Sequence, residues 1–132
     1  MAYQVFANHA HVFQKEVKPN ATIDNLKMMM EEAGVAKAVA FAPFINFEGT
    51  QMKSRDENPN RWLASQLANE KDIVGFGTID FTRDDLKDQV SEIQELGLLG
   101  IKIHPAHQRV KINGERAFEV YRRAEECGLF IS

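Results

Sequence analysis

The chain has a single cysteine, Cys127, among its 132 residues. That excludes an internal disulfide framework and any cysteine-rich metal site. An excess of one charge is lacking too. The 16 Lys and Arg residues against 19 Asp and Glu leave a net charge of −3, which gives no reason to expect nucleic acid or an anionic membrane as partner. No long hydrophobic run is present: the most apolar region, Val35 to Phe47, is broken by Lys37 and Pro43 and falls far short of a membrane span. The start, MAYQVFANH, lacks a basic segment followed by an apolar stretch and a small-residue cleavage site. No secretory signal is therefore expected, and a reducing cytoplasm is the expected compartment. Low-complexity tracts, linkers, a P-loop, a GxGxxG turn and a nucleophile elbow are all missing. What remains is an ordinary globular composition, 44% hydrophobic and 27% charged. It is long enough for one domain with a core and too short for two.

Apolar strands and amphipathic helices alternate along the chain. A first strand is expected at about Gln4 to Ala7, followed by a helix capped by Thr22, with Ile23, Leu26, Met30 and Ala33 on its apolar face and Gly34 as its stop. AKAVAFA (Ala36 to Ala42) reads as a buried strand, and Asn58-Pro59 as the cap and first position of a second helix. A strand over Ile73 to Ile79 leads to a third helix expected to be capped by Thr82, with Asp84 and Asp85 in its first turn and Gly97 at its end. A fourth strand spans Leu98 to His104, a fourth helix runs from Gly114 to Cys127, and LFIS begins a fifth strand. Near-continuously apolar strands alternating with helices predict a parallel sheet and an α/β fold. LFIS stops in mid-strand, so the chain is read as the front half of something longer.

The chemistry-bearing residues fall at strand ends. His9 and His11 stand two apart, a spacing that places both imidazoles on one face of a strand. They sit where, in parallel α/β folds, ligands collect. Two readings stand: the pair binds a divalent metal, or both rings hydrogen-bond near the surface. In GIKIHPAH (Gly100 to His107), Lys102 and His104 share a face by the same logic. A lysine in a buried strand is costly unless paired, bound or modified. Lys102 and His104 either line the cavity of the histidine pair, or respectively pair with a carboxylate and cap the strand. His107 is expected in a surface loop. Asn8 could orient a histidine ring, and Asp80 could serve a pocket or a turn. NFEGTQMKSRDEN is long for a connection and could form a lid. Cys127 is expected to face the sheet as a small apolar side chain.

HAHVF on strand one, GLLGIKIHP on strand four and ECGLFIS before strand five together resemble the amidohydrolase superfamily, specifically its amidohydrolase-related group, also called amidohydrolase family 2. The resemblance covers essentially the whole chain. It implies a (β/α)8 TIM barrel, present here as about the first four βα units plus the start of strand five, so that residues 1–132 form a single incomplete domain. It also implies a divalent metal, zinc in most members, with His9 and His11 as ligands. The activity implied is hydrolysis of an amide or ester through metal-activated water, or decarboxylation, with a small-molecule substrate contacted by Lys102 and His104. Lys102 matches the region where some branches carry a carboxylated, metal-bridging lysine. Asn8 replaces the aspartate often found before the first histidine. Such a barrel needs about 250 residues, so the chain alone is expected to be inactive and to self-associate or join a missing C-terminal half. The competing expectations are a non-catalytic flavodoxin-like α/β binding domain and a barrel metal-dependent phosphoesterase or nuclease.

Overall fold

Polar caps and glycines set the helix boundaries in the computed structural model, which describes residues 3–45 and 58–132. Thr22 caps α1 (Ile23–Ala33), its side-chain oxygen accepting from the Asn25 amide at 3.2 Å. Gly34 closes that helix at φ 69°, a left-handed conformation that costs glycine nothing. Asn58 caps α2 (Pro59–Leu67) by accepting from the Asn60 and Arg61 amides. The lid-like stretch expected over 46–58 lies, apart from Asn58, outside the described residues.

The strands are β1 (Val5–His11), β2 (Val35–Phe41), β3 (Ile73–Gly77), β4 (Gly100–Ile101) and β5 (Phe130–Ile131). They pair in parallel and lie in the order β1-β2-β3-β4-β5. Spatial order equal to chain order means that every crossover moves the same way around the sheet. The five strands with their helices form a half-barrel. A flavodoxin-like sheet reverses direction partway, with its first strand inside the sheet, so this topology sets that alternative aside. No described helix is long and apolar enough to cross a membrane.

Four expectations need correction. The first strand continues to His11, so the histidines lie in the sheet rather than beyond it. The pairing defined for β4 is short, but its hydrogen bonds run on either side, from the Leu99 amide to Gly75 O and from the Lys102 amide to Gly77 O. Thr82 caps no helix: α3 (Leu86–Glu95) starts later, and the Thr82 amide and hydroxyl both donate to Asp80 Oδ1, at 3.0 and 2.6 Å. Asp80 thereby serves a turn. His107 lies in a one-turn helix, α4 (Pro105–Gln108), rather than a loop. Last comes α5 (Glu115–Glu126).

Glycine brings the helices down onto β3. A Cβ at Gly75 would stand 2.6 Å from Leu98 and 2.8 Å from Leu67, and one at Gly77 would stand 2.8 Å from Ile93. These glycines face α2 and α3, so Phe76 between them points to the other face. There it meets Phe41 at 5.9 Å between ring centroids and stacks on Phe130 at 6.5 Å. The helix-facing core is aliphatic, built on Leu63, Leu86, Val90, Ile93, Ile101 and Val120. The opposite face is aromatic and carries the candidate site.

Candidate functional site

A break in register aims the first histidine. Between its pairings with Ala38 and Ala40 of β2, β1 advances from Ala7 to Ala10, one residue more than its partner. Bulges of this kind re-aim side chains and recur beside active sites. His9 lies in the bulge, and His11 pairs with Phe41. Their Nε2 atoms are 3.1 Å apart, within hydrogen-bond distance. Two nitrogens held 2.0–2.1 Å from one tetrahedral zinc are about 3.3 Å apart. The observed spacing therefore fits a shared divalent ion with little movement. Imidazole nitrogens are ligands of borderline softness, which suit zinc and its neighbours.

The pair rests on aromatic rings. Phe41 is fully buried and lies 4.8 Å from His9 and 5.2 Å from His11 between centroids. Phe44 lies 5.9 Å from His11. Burial first, then His9, Lys102, His104 and Lys18, lower the His11 pKa from 6.5 to about 4. At neutral pH its ring carries no charge.

Lys102 and His104 come to the same rim. Lys102 Nζ lies 5.1 Å from the Phe41 centroid. Among the described residues no carboxylate forms an ion pair with it. His104 caps α4, its Nδ1 accepting from the His107 amide at 3.4 Å. The His104 and His107 rings stack at 3.7 Å, and Phe44 stands 6.0 Å from each. Phe41 thus joins His9, His11 and Lys102, while Phe44 joins His11, His104 and His107. Asn8 makes no hydrogen bond to either imidazole of the pair among the described residues. Nor does any group of three or more His, Cys, Asp or Glu there converge as a metal cage. Cys127 is partly buried and packs on the core as expected.

Sequence reasoning missed the aromatic floor and three side-chain amides that fasten the rim. Asn60 of α2 accepts from the Thr78 amide at 2.8 Å and donates to Thr78 O at 3.0 Å. Gln89 of α3 does the same for Asp80, at 2.8 and 3.1 Å. Gln108 of α4 accepts from the His104 amide at 2.6 Å and donates to Ile79 O at 2.9 Å. Each amide replaces a strand partner that the end of β3 lacks. A buried Asn one residue after a helix-starting Pro was the available signal, but it reads as an ordinary polar position.

No family model and no curated protein matches the chain. Solved structures do. One is a candidate amidohydrolase from Staphylococcus aureus, 16% identical with a TM-score of 0.70, covering 98% of this chain and 46% of the other. Another is a 5-carboxyvanillate decarboxylase from Novosphingobium aromaticivorans, in a mutant form with bound manganese and 3-methoxy-4-hydroxy-5-nitrobenzoic acid. It is 15% identical with a TM-score of 0.76, covering 98% of this chain and 50% of the other. The chain spans about half the length of each. In fold, it is a half-barrel similar to about half of a candidate amidohydrolase and about half of a metal-binding decarboxylase.

Proposed function

We propose that this chain carries the front of an amidohydrolase-type metal-dependent active site. His9 and His11 supply two nitrogen ligands to a divalent metal, zinc by expectation, and Lys102 and His104 contact a small-molecule substrate. The observation that carries the reading is the 3.1 Å approach of the two Nε2 atoms at the carboxyl end of β1, on the aromatic ring that also faces Lys102. A divalent metal bound there supplies Lewis acidity, polarising a substrate oxygen and lowering the pKa of bound water toward neutrality.

The chain's own residues prepare that chemistry. His11, uncharged down to about pH 4, keeps its lone pair available. Phe41 and Phe44 give the pair an apolar floor. The Lys102 ammonium, partly buried and without a carboxylate partner among the described residues, meets a negative group, so the proposed substrate is anionic. A neutral His104 that accepts at Nδ1 carries its proton on Nε2, which makes it a donor to a substrate oxygen. Hydrolysis of an amide or ester is the first reading. Decarboxylation of an unsaturated acid is the second, favoured by the aromatic floor and by the decarboxylase among the fold neighbours. A barrel phosphoesterase is disfavoured because such enzymes tend to place an acidic residue on a middle strand, where this chain has Lys102.

A catalytic zinc usually has three protein ligands, and this chain offers two. We therefore place the activity in a complete barrel, formed with a C-terminal half or a second copy, in the cytoplasm, with the chain alone inactive. The exposed Phe130 and Phe6 on the outer strands support such pairing. Zinc and manganese titrations followed by elemental analysis test the metal. About one equivalent per chain, abolished by His9→Ala, is expected, and less than a tenth of an equivalent of either metal would sink the proposal. Sedimentation tests the pairing, with concentration-dependent association expected. A monomer at every concentration that unfolds cooperatively would oppose it.

A further inference from the structure

Lys102 is held differently from the lysines that pair with acids. Lys27 pairs with Glu70 at 2.8 Å and Lys37 with Asp72 at 3.8 Å. Lys102 Nζ instead faces the Phe41 ring at 5.1 Å from its centroid, within the range at which a π face attracts a cation. That ring is packed so that it cannot swing away. It has no exposed surface. His9 meets it at 4.8 Å with the planes 89° apart, His11 at 5.2 Å and 62°, and Phe76 at 5.9 Å.

The distinction matters for binding. A carboxylate partner would fix the ammonium but cancel its charge, and an incoming anion would have to displace it. An aromatic face attracts the ammonium through its quadrupole and leaves the net charge intact. We propose that Phe41 is the positioning residue of this site, holding the Lys102 ammonium, which has no carboxylate partner among the described residues, beside His11 as a positive charge that receives the carboxylate of a small organic acid. The proposal rests on the reading of Lys102 as a substrate contact, and it adds how that contact is kept in place and which ligand chemistry it selects.

The test uses the full metal-free chain with benzoate as the probe. Phe41 is replaced by mono-, tri- and pentafluorinated phenylalanine, which keep the ring's shape while progressively weakening its negative face, and by cyclohexylalanine, which removes the face altogether. The benzoate dissociation constant should rise stepwise along the fluorinated series, to about fivefold at the end. The upfield ring-current shift of the Lys102 ε-methylene protons should vanish with cyclohexylalanine. A merely structural ring would give constant affinity across the fluorinated series. That result, an unchanged Lys102 signal with cyclohexylalanine, or undiminished benzoate binding by Lys102→Met would each overturn the proposal. Because benzoate binding is read without metal, a failure of zinc to bind would count against the metal reading alone.

Discussion

The carboxyl ends of β1 and β3 lie on the same rim and are held in opposite ways. Past Gly77, the β3 backbone is gripped by hydrogen bonds from Asn60, Gln89 and Gln108. At the end of β1, the ring contacts of His9 and His11 among the described residues are with each other and with two phenylalanines. Hydrogen bonds fasten the segment whose job is to stay put. Aromatic contacts support the segment that carries the imidazole pair. One rim is thus held by polar contacts at one strand end and by ring contacts at another.

The comparison can be broken first at the rigid end. Asn60→Leu leaves the buried Thr78 amide and carbonyl without their partner, and should lower stability by about 3 kcal/mol, read as a shifted urea midpoint at constant slope. A loss below about 1 kcal/mol would mean that the clamp is ornamental. At the open end the balance should invert. His11→Ala should weaken zinc binding by at least about 100-fold, as loss of one of two ligands implies, while changing stability by less than about 1 kcal/mol because the ring is half-exposed. Calorimetric titration and urea melts on the same sample separate the two.

Acid should discriminate between the ends as well. Burial and then His9, with smaller effects from Lys102, His104 and Lys18, hold the His11 pKa near 4 against an ordinary 6.5, so the folded chain takes up this proton less readily than the unfolded chain. The associated stability is complete above about pH 6.5 and is lost as pH falls toward about 4. Screening by solvent at a half-exposed ring limits the loss to the order of 1 kcal/mol. His11→Gln should flatten that pH slope, and an unaltered slope would assign the effect to other groups. The amide clamp contains nothing that titrates in this range. The smallest effect belongs to the turn between β3 and α3. Thr82→Ala should cost no more than about 0.5 kcal/mol, since its hydroxyl serves an exposed turn. Thr22→Ala should cost about 1 kcal/mol by uncapping α1. Equal losses in the two melts would restore Thr82 as a cap.

The contrast between Thr22 and Thr82 shows what was legible in the amino-acid order. Thr22, Gly34, Asn58 and Pro59 act through chemistry confined to a few neighbouring residues, and each performs as its local pattern predicts. Thr82 has the same cap-like context, yet Asp80 two residues earlier competes for its hydroxyl and wins. The two-residue spacings of His9 with His11 and of Lys102 with His104 were visible in the sequence, and the structure brings the four side chains around Phe41 and Phe44. The bulge that turns His9 was hidden, since register depends on β2. Phe41 read as part of a buried strand because nothing in a linear pattern says that a buried ring has a lysine over its face. Asn60, Gln89 and Gln108 lie 18, 9 and 29 residues from the backbone they bind, beyond the reach of any local rule. The order of the strands in the sheet, which separates a barrel from a flavodoxin-like sheet, required the structure.

That order, β1 to β5 side by side as they occur in the chain, has a consequence for how the molecule comes into being. Each strand leaving the ribosome finds its docking edge already assembled, so the sheet can grow in one direction at the pace of synthesis, without waiting for distant segments. Neighbours in the sheet are also neighbours in chain order, so no pairing spans more than one helical crossover. Growth in that order would set the Phe41 strand beside the histidine-bearing strand before Lys102 is polymerised, so the aromatic platform would precede the cation that lies upon it.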